Sequence, residues 1–185
     1  MDRERANPDQ VSAAPPALVV EVQDGTGGVG AGDLAWLSEA GKRAGAALGV
    51  VGSFRVRVVN DTEMSAAHQR YSGVAGTTDV LTFDLSETGQ RVGNGVGGAG
   101  VPITVDADVM VCLDEASRRG AEFGHGARRE LMLYIVHGLL HCLGYDDHDE
   151  ASASAMHERE DRVLEAIGVG ATYEPARAVG RGGVA

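Results

Sequence analysis

The chain has 185 residues, of which 43% are hydrophobic, and this is enough to bury one core. Its formal net charge of −11 argues against non-specific binding of duplex nucleic acid, which requires an extensive basic surface. Its two cysteines are too few for a disulfide framework. The N-terminus lacks the basic start and apolar segment of a signal peptide, and no apolar run approaches the ~20 residues that span a membrane. We therefore expect a cytoplasmic protein without a membrane partner.

The first part of the chain predicts a strand followed by a helix. Residues 1–16 are polar with prolines and are predicted to be a disordered leader. The apolar residues 17–22 predict a strand, and the glycine-rich stretch after them predicts a loop. Asp33 is the expected N-cap of the next helix. The apolar residues of that helix recur at helical spacing: Leu34, Leu37, Ala40, Ala44 and Leu48.

A second strand and a short helix are expected next. Residues 53–60 alternate between apolar and polar side chains, which predicts a strand with one solvent-exposed face that carries Arg55 and Arg57. Asp61 or Thr62 is the expected cap of a short helix over residues 61–71.

The second half of the chain predicts two more strands and three helices. The strands are expected at residues 77–84 and 106–112, on either side of a glycine-rich loop at 85–103. The helices are expected at residues 114–124, 127–143 and 149–167.

Four strands interspersed with helices predict an α+β fold, an α/β sandwich whose sheet of about four strands packs against helices. Residues 17–168 are expected to form one domain, followed by a flexible tail at 169–185. The helix that ends near residue 143 is apolar nearly all round, so it is expected to be buried.

The buried helix carries the residues that point to chemistry. His137 and His141 are four residues apart, so both imidazoles leave one face of the helix and can share a metal ion. Gly144 permits a left-handed turn, which brings Asp146, Asp147 and His148 back towards the imidazoles. Two histidines and one further ligand leave a fourth position open for water, as in catalytic zinc sites. The alternative is a pair of core histidines, but a core gains nothing from three more ligands beside them.

The sequence resembles the YbeY family of bacterial rRNA maturation factors, which are single-strand-specific zinc endoribonucleases. Residues 137–147 read HGLLHCLGYDD, close to the family's HGxLHxxGYDH, and residues 78–83 read TDVLTF, close to its TDVLSF strand. Residues 107–109 and Asn60 match two further family positions. The resemblance implies one Zn²⁺ ion, a single-stranded rRNA precursor as substrate and a ribosome or ribosomal proteins as partners. It also implies a role in 3′ end maturation of small-subunit rRNA and in ribosome quality control.

Two positions depart from the family pattern. Asp147 stands where the family has a third histidine, so we predict Asp147 as the third metal ligand and His148 as the second choice. A carboxylate is a competent zinc ligand. Ser72 stands where the family has an arginine that follows a tyrosine, and Arg70 is the nearest replacement.

The resulting hypothesis is a zinc centre made by His137, His141 and Asp147 that promotes hydrolysis of an RNA phosphodiester. Arg57 and Arg70 are the predicted catalytic arginines, with Arg55 as a further candidate, because they would offset charge on the phosphoryl oxygens. These residues do not identify a general base, and Asp79 and Asp108 are expected to be turn or helix-capping carboxylates.

Two other functions are compatible with the motif. A non-catalytic, zinc-stabilised ribosome-associated factor would have a closed site of four protein ligands. A zinc peptidase is the weaker alternative, because the HExxH pattern requires glutamate directly after the first histidine and this chain has Gly138 there.

Overall fold

The structure is a computed structural model, and it describes residues 16–86 and 102–173. The strands are β1 (Leu18–Asp24), β2 (Val50–Val59), β3 (Val80–Asp84) and β4 (Ile103–Cys112). The helices are α1 (Ala31–Leu48), α2 (Asp61–Ser72), α3 (Leu113–Glu122), α4 (Ala127–Cys142) and α5 (Glu150–Ala166). The predicted α+β fold is confirmed. Residues 1–15 of the predicted leader, 87–101 of the predicted loop and 174–185 of the predicted tail lie outside the described residues.

The four strands form one mixed sheet in the order β1-β2-β4-β3. β1, β2 and β4 are parallel, whereas β3 runs antiparallel to β4 and pairs Thr82 with Val109. Side chains alternate along each strand, so Phe54 and Val56 are buried on one face while Arg55 and Arg57 lie on the other. The sheet therefore has one face that builds the core and one face that is largely open.

The core lies between the sheet and three helices, α1, α4 and α5. Helix α4 is buried on nearly all sides, as its apolar composition predicted, and it contacts α1, α5, β3 and β4. A second, smaller cluster joins α2 to the ends of the strands through Val59, Met64 and Cys112. Both cysteines, Cys112 and Cys142, are buried, and no disulfide joins them. None of the described helices is long and apolar enough to cross a membrane.

Two predicted helix caps are wrong by a few residues. Helix α1 begins after Gly30, and Asp33 lies in its first turn without capping it. Helix α2 is capped by Asn60, whose side chain accepts a hydrogen bond from the backbone N–H of Glu63, so neither Asp61 nor Thr62 is the cap. An asparagine that ends a strand can cap the following helix because its extended backbone leaves the side-chain oxygen free to accept. In both cases the true cap precedes the predicted one.

Residues 169–173 pack against the domain, beyond the predicted boundary at residue 168. The backbone N–H of Thr172 donates to Asp161 over 2.6 Å, and a guanidinium nitrogen of Arg129 donates to the carbonyl of Gly170 over 3.0 Å. The ring of Tyr173 stacks on His157 with centroids 4.0 Å apart. The sequence here has no periodic pattern, and tertiary contacts rather than local propensity fix the segment.

Close packing between α3 and the start of α4 depends on Gly120. A Cβ built at this position would lie 2.4 Å from the backbone carbon of Gly126 and 2.7 Å from the nitrogen of Ala127. Backbone atoms cannot move aside as a flexible side chain can, so any larger residue would push the two helices apart.

We expect Gly120→Ala to lower the free energy of unfolding by roughly 1–3 kcal/mol, because overpacking outweighs the gain in helix propensity. Gly32→Ala in α1 is the matched control, since nothing lies within 4 Å of its added Cβ. The control should be neutral or stabilising by at most about 1 kcal/mol. Urea unfolding monitored by circular dichroism measures both, and equal effects of the two substitutions would contradict the packing described.

Helices α2 and α3 are joined by an ion pair between Asp61 and Arg118. The guanidinium donates to both carboxylate oxygens over 2.7 and 2.9 Å. The hydrogen bond from Arg118 is the main reason that the pKa of Asp61 falls to about 2. The side chain of Arg118 is 49% exposed and that of Asp61 is 42% exposed, so solvent screens the pair and limits its contribution to stability.

We expect Asp61→Asn to lower the free energy of unfolding by at most about 1 kcal/mol near neutral pH. Because the folded pKa lies below the unfolded value, this contribution is complete above about pH 4 and is lost as the pH falls towards 2. Urea unfolding of both proteins at pH 6, 4 and 3 measures the difference. A difference that does not shrink at pH 3 would contradict the assignment.

Candidate metal centre

His137 and His141 meet at the C-terminal end of α4. Their side chains leave the same face of the helix, and their rings are 4.5 Å apart in an edge-to-face arrangement. The Nε2 atoms of the two rings face each other across 2.9 Å. The predicted pair of imidazoles is therefore brought together as the spacing of the two residues required.

The other nitrogen of each ring is held by an acceptor. Nδ1 of His137 lies 2.7 Å from a carboxylate oxygen of Glu160 in α5, a side chain that is 0% exposed. Nδ1 of His141 donates to the backbone carbonyl of Tyr145 over 3.1 Å. A carbonyl can only accept, so the proton of a neutral His141 lies on Nδ1, and the Glu160 carboxylate favours the same tautomer in His137.

This tautomer directs two Nε2 lone pairs at one another. Two lone pairs 2.9 Å apart repel unless a proton or a cation lies between or beside them. Histidine ligands of metals commonly donate their other ring N–H to a carboxylate or a backbone carbonyl, which fixes the ring and makes the ligand more basic. The donor set and its supporting contacts therefore fit a metal ion.

The turn after α4 positions both the Tyr145 carbonyl and the next candidate ligand. Gly144 has a φ of 87°, a left-handed conformation that favours glycine. The N–H of Gly144 donates to the carbonyl of His141, and the N–H of Tyr145 donates to that of Leu140. This pair of bonds is a Schellman motif, and it reverses the chain as the sequence predicted.

Asp147 lies beside both imidazoles. Its Oδ2 is 3.7 Å from Nε2 of His137, and its Oδ1 is 4.0 Å from Nε2 of His141. The candidate ligand atoms of these three residues all lie within 4.8 Å of one another. The side chain of His148 is 83% exposed and bonds to the Asp146 carboxylate, and together with Asp147 these two residues form a second group of possible ligands, all of them exposed. Asp147 is thus the better placed of the two predicted third ligands.

The two imidazoles differ in their affinity for protons. Burial disfavours the charged form of His137, but the Glu160 carboxylate more than offsets this effect and the pKa of His137 is raised. Burial, followed by the neighbouring His137, lowers the pKa of His141. The pair therefore favours one positive charge over two, and the second imidazole keeps a lone pair available as a ligand.

A cavity of about 470 Å³ opens beside the three candidate ligands. Its far wall is the edge strand β3 with the residues that precede it, including Thr78 and Asp79. Ser72, at the end of α2, also lines the cavity. The position where the family arginine is replaced by serine is therefore at the candidate site itself.

Gly138 faces the sheet and does not face the cavity. A Cβ at this position would lie 3.0 Å from Oγ1 of Thr82 and 3.3 Å from Cγ1 of Val109. Glycine allows α4 to approach β3 and β4 closely, which sets the depth of the imidazoles. Even the Cβ of a glutamate, the residue of the peptidase pattern, would crowd Thr82 and Val109 here.

The predicted arginines do not line this cavity. Arg55 and Arg57 lie in a groove on the open face of the sheet, where Arg57 pairs with Glu63 over 3.2 Å. Arg55 pairs with Asp106 and Asp108 on β4. The Arg70 guanidinium lies 5.4 Å from the centroid of the Tyr71 ring. Catalytic roles for Arg57 and Arg70 stay predictions.

Glu160 is the residue of this site that the sequence analysis missed. It lies on the same face of α5 as the buried residues Met156, Val163 and Leu164. A carboxylate among apolar positions at helical spacing requires a partner, because a buried charge is costly without one. That mismatch is the sequence signal that could have pointed to it.

The fold and the site define an α+β protein with a candidate His₂–Asp metal centre on a buried helix. Comparison with known sequences identifies the family, since residues 34–168 match the family described as Endoribonuclease YbeY. An Endoribonuclease YbeY from Bacillus licheniformis is 32% identical over 155 residues, which cover 83% of this chain and 97% of that protein. One from Moorella thermoacetica is 34% identical over 138 residues, covering 74% and 87%. The chain therefore belongs to the YbeY family, as its motifs predicted.

A solved structure supports the fold. The solution structure of TM1509 from Thermotoga maritima aligns with a TM-score of 0.53 over 88% of this chain and 93% of that one. The two sequences are 23% identical, so this likeness concerns the fold alone.

We expect Glu160→Gln to weaken Zn²⁺ binding by about 10–100-fold, because the neutral amide is a poorer acceptor for the His137 ring N–H. Competition with a chromophoric zinc chelator measures the affinity. Glu165→Gln is the control, since Glu165 is exposed on the same helix. Equal zinc affinities in the two variants would show that Glu160 does not support the site.

Proposed function

We propose that this protein is a zinc-dependent endoribonuclease that cleaves single-stranded RNA. The observation that carries the proposal is the convergence of two Nε2 lone pairs and the Asp147 carboxylate beside an open cavity. The curated relatives are named endoribonucleases, which supports the same reaction class for this chain. A resident Zn²⁺ ion would supply Lewis-acid chemistry towards water and towards a phosphodiester.

The residues of the chain have separate tasks in this proposal. His137, His141 and Asp147 hold the ion. Glu160 and the Tyr145 carbonyl fix the orientation and tautomer of the two rings through their Nδ1 atoms. The cavity beside β3 receives the RNA backbone. Arg57 and Arg70 would contact the RNA away from the scissile phosphate, because they lie outside the lining of this cavity.

We further propose that the substrate is a precursor of small-subunit rRNA, cleaved during 3′ end maturation in the cytoplasm with the ribosome as partner. This part of the proposal comes from the family resemblance. The net charge of −11 is compatible with it, because a single-stranded substrate bound in one cavity does not need a basic surface over the whole protein.

The two other functions have less support. A purely structural zinc site would use four protein ligands, and the exposure of His148 argues against it as the fourth. A peptidase would need a glutamate after the first histidine, and the crowding around Gly138 argues against that position for any proton-transferring side chain.

We expect His141→Ala to abolish both Zn²⁺ binding and cleavage of a fluorescent single-stranded RNA, and Asp147→Ala to reduce both strongly. His148→Ala is the matched control and should retain zinc and activity within about two-fold, because its side chain is exposed and does not belong to the group formed by His137, His141 and Asp147. Elemental analysis and gel-resolved cleavage measure the two properties.

Three results would contradict the proposal. Zinc-loaded wild-type protein that cleaves no more than His141→Ala would favour the non-catalytic factor. Loss of zinc in His148→Ala but not in Asp147→Ala would reverse the choice of third ligand. Equal cleavage of single-stranded and duplex RNA would remove the proposed strand preference.

A further inference from the structure

A second cavity of about 530 Å³ lies directly beside the candidate metal centre. Thr78 and Asp79, which precede β3, line both cavities. Helix α4 also runs along both: Glu130 and Tyr134 line the second cavity, and His137 lines the first. Tyr134 and His137 are three residues apart, which is about 4.5 Å of helix rise. A ligand that fills one cavity is therefore within reach of the other.

The second cavity is acidic. Asp79, Glu115 and Glu130 contribute three carboxylates, of which Glu115 pairs with Arg118 and Arg119 and Glu130 bonds to His125. Arg119 is itself paired with Glu115 and Glu122. Such a lining repels phosphate and accepts hydrogen bonds from N–H groups. The three carboxylates do not form a metal site, because their oxygen atoms do not all come within 4.8 Å of one another as those of the described candidate sites do.

Two buried hydroxyl groups in the lining lack hydrogen-bond partners. Tyr134 is only 4% exposed, and its hydroxyl makes no hydrogen bond within the described part of the chain. The hydroxyl of Thr172, which lines the same cavity, is also buried and makes no hydrogen bond with the described residues. Burial, followed by the neighbouring Glu130 carboxylate, raises the pKa of Tyr134, so its hydroxyl stays protonated and can donate to this carboxylate or to a ligand. A buried hydroxyl beside a cavity that has no partner in the protein can bond to a molecule that enters the cavity.

Aromatic rings form the remaining walls. Phe123 follows α3 and is 59% exposed, Tyr173 stacks on His157, and all three rings line the cavity. Flat aromatic surfaces bind flat rings by stacking, and unpaired bases of single-stranded RNA bind proteins in this way. A ring with both N–H donors and acceptors on its edge would satisfy the carboxylates and the hydroxyls together.

We propose that this second cavity binds the base of a nucleotide next to the cleavage site and prefers bases that carry an exocyclic amino group. The proposal rests on the proposed RNA-cleaving function, which brings the substrate to the adjacent cavity. Asp79 is the carboxylate best placed to accept from the amino group: its Oδ1 accepts from Thr78 and from the backbone of Val80, and its Oδ2 accepts no hydrogen bond from the described residues. Cytosine, adenine and guanine satisfy this requirement, and uracil does not.

Nucleosides test the cavity without any cleavage step. Cytidine and uridine form a matched pair, because they differ in having an amino group or a carbonyl at C4. We expect cytidine to bind isotopically labelled full-length protein at least about five-fold more tightly than uridine, in titrations followed by NMR. The chemical-shift changes should centre on Thr78, Phe123, Tyr134 and Thr172.

Two variants assign the contacts. Phe123→Ala should weaken cytidine binding by about five-fold or more, because a stacking surface is lost. Tyr71→Ala is its matched control, since Tyr71 is also 59% exposed but lies in the groove on the open face of the sheet. Asp79→Asn should bring the affinities for cytidine and uridine close together while leaving the protein folded.

Several outcomes would overturn the proposal. Equal affinities for cytidine and uridine would refute it, and so would chemical-shift changes located outside the cavity. If spermidine bound more tightly than cytidine and displaced it, the acidic cavity would be a polyamine site instead. RNA cleavage by the wild-type protein is measured separately, so a protein that binds cytidine but does not cleave RNA would refute the nuclease function and leave the base site standing.

Discussion

The geometry on which the rest of the structure depends is that of two imidazole nitrogens that face each other at the end of α4. Two lone pairs 2.9 Å apart are unfavourable by themselves, so the surrounding structure must hold them there. It does so from two directions, with a buried carboxylate from α5 and a backbone carbonyl from the turn after α4. The packing of α5, the Schellman turn and the close approach at Gly138 all serve this one geometry.

The edge strand β3 organises the surroundings of that pair. One of its faces looks towards α4 and closes the candidate metal cavity, while the other carries Phe83 into the groove on the open face of the sheet. The residues that lead into β3 border the acidic second cavity. A single antiparallel strand at the edge of an otherwise parallel sheet thus separates three chemically different surfaces. This explains why a charged groove and a metal centre can lie close together without sharing their residues.

Local patterns were sufficient to predict the features that depend on neighbours in sequence. The spacing of His137 and His141, the turn at Gly144 and the burial of α4 all follow from periodicity and glycine placement, and the structure has them. Glu160 was not predicted, because its contact with His137 spans 23 residues and exists only once α5 packs on α4. The positions of Arg57 and Arg70 also required the sheet topology, since alternation tells which side chains share a face but not which face the metal centre occupies.

Ending α4 beside the two imidazoles has an electrostatic consequence. The last carbonyl groups of a helix carry the negative end of its macrodipole, equivalent to about half an elementary charge. His141 lies in the last turn of α4, and its protonated or metal-bound ring would sit in that negative field. This field comes from the backbone and is independent of any side chain. The end of α4 therefore favours a positive charge on or beside His141 before any ligand side chain is considered.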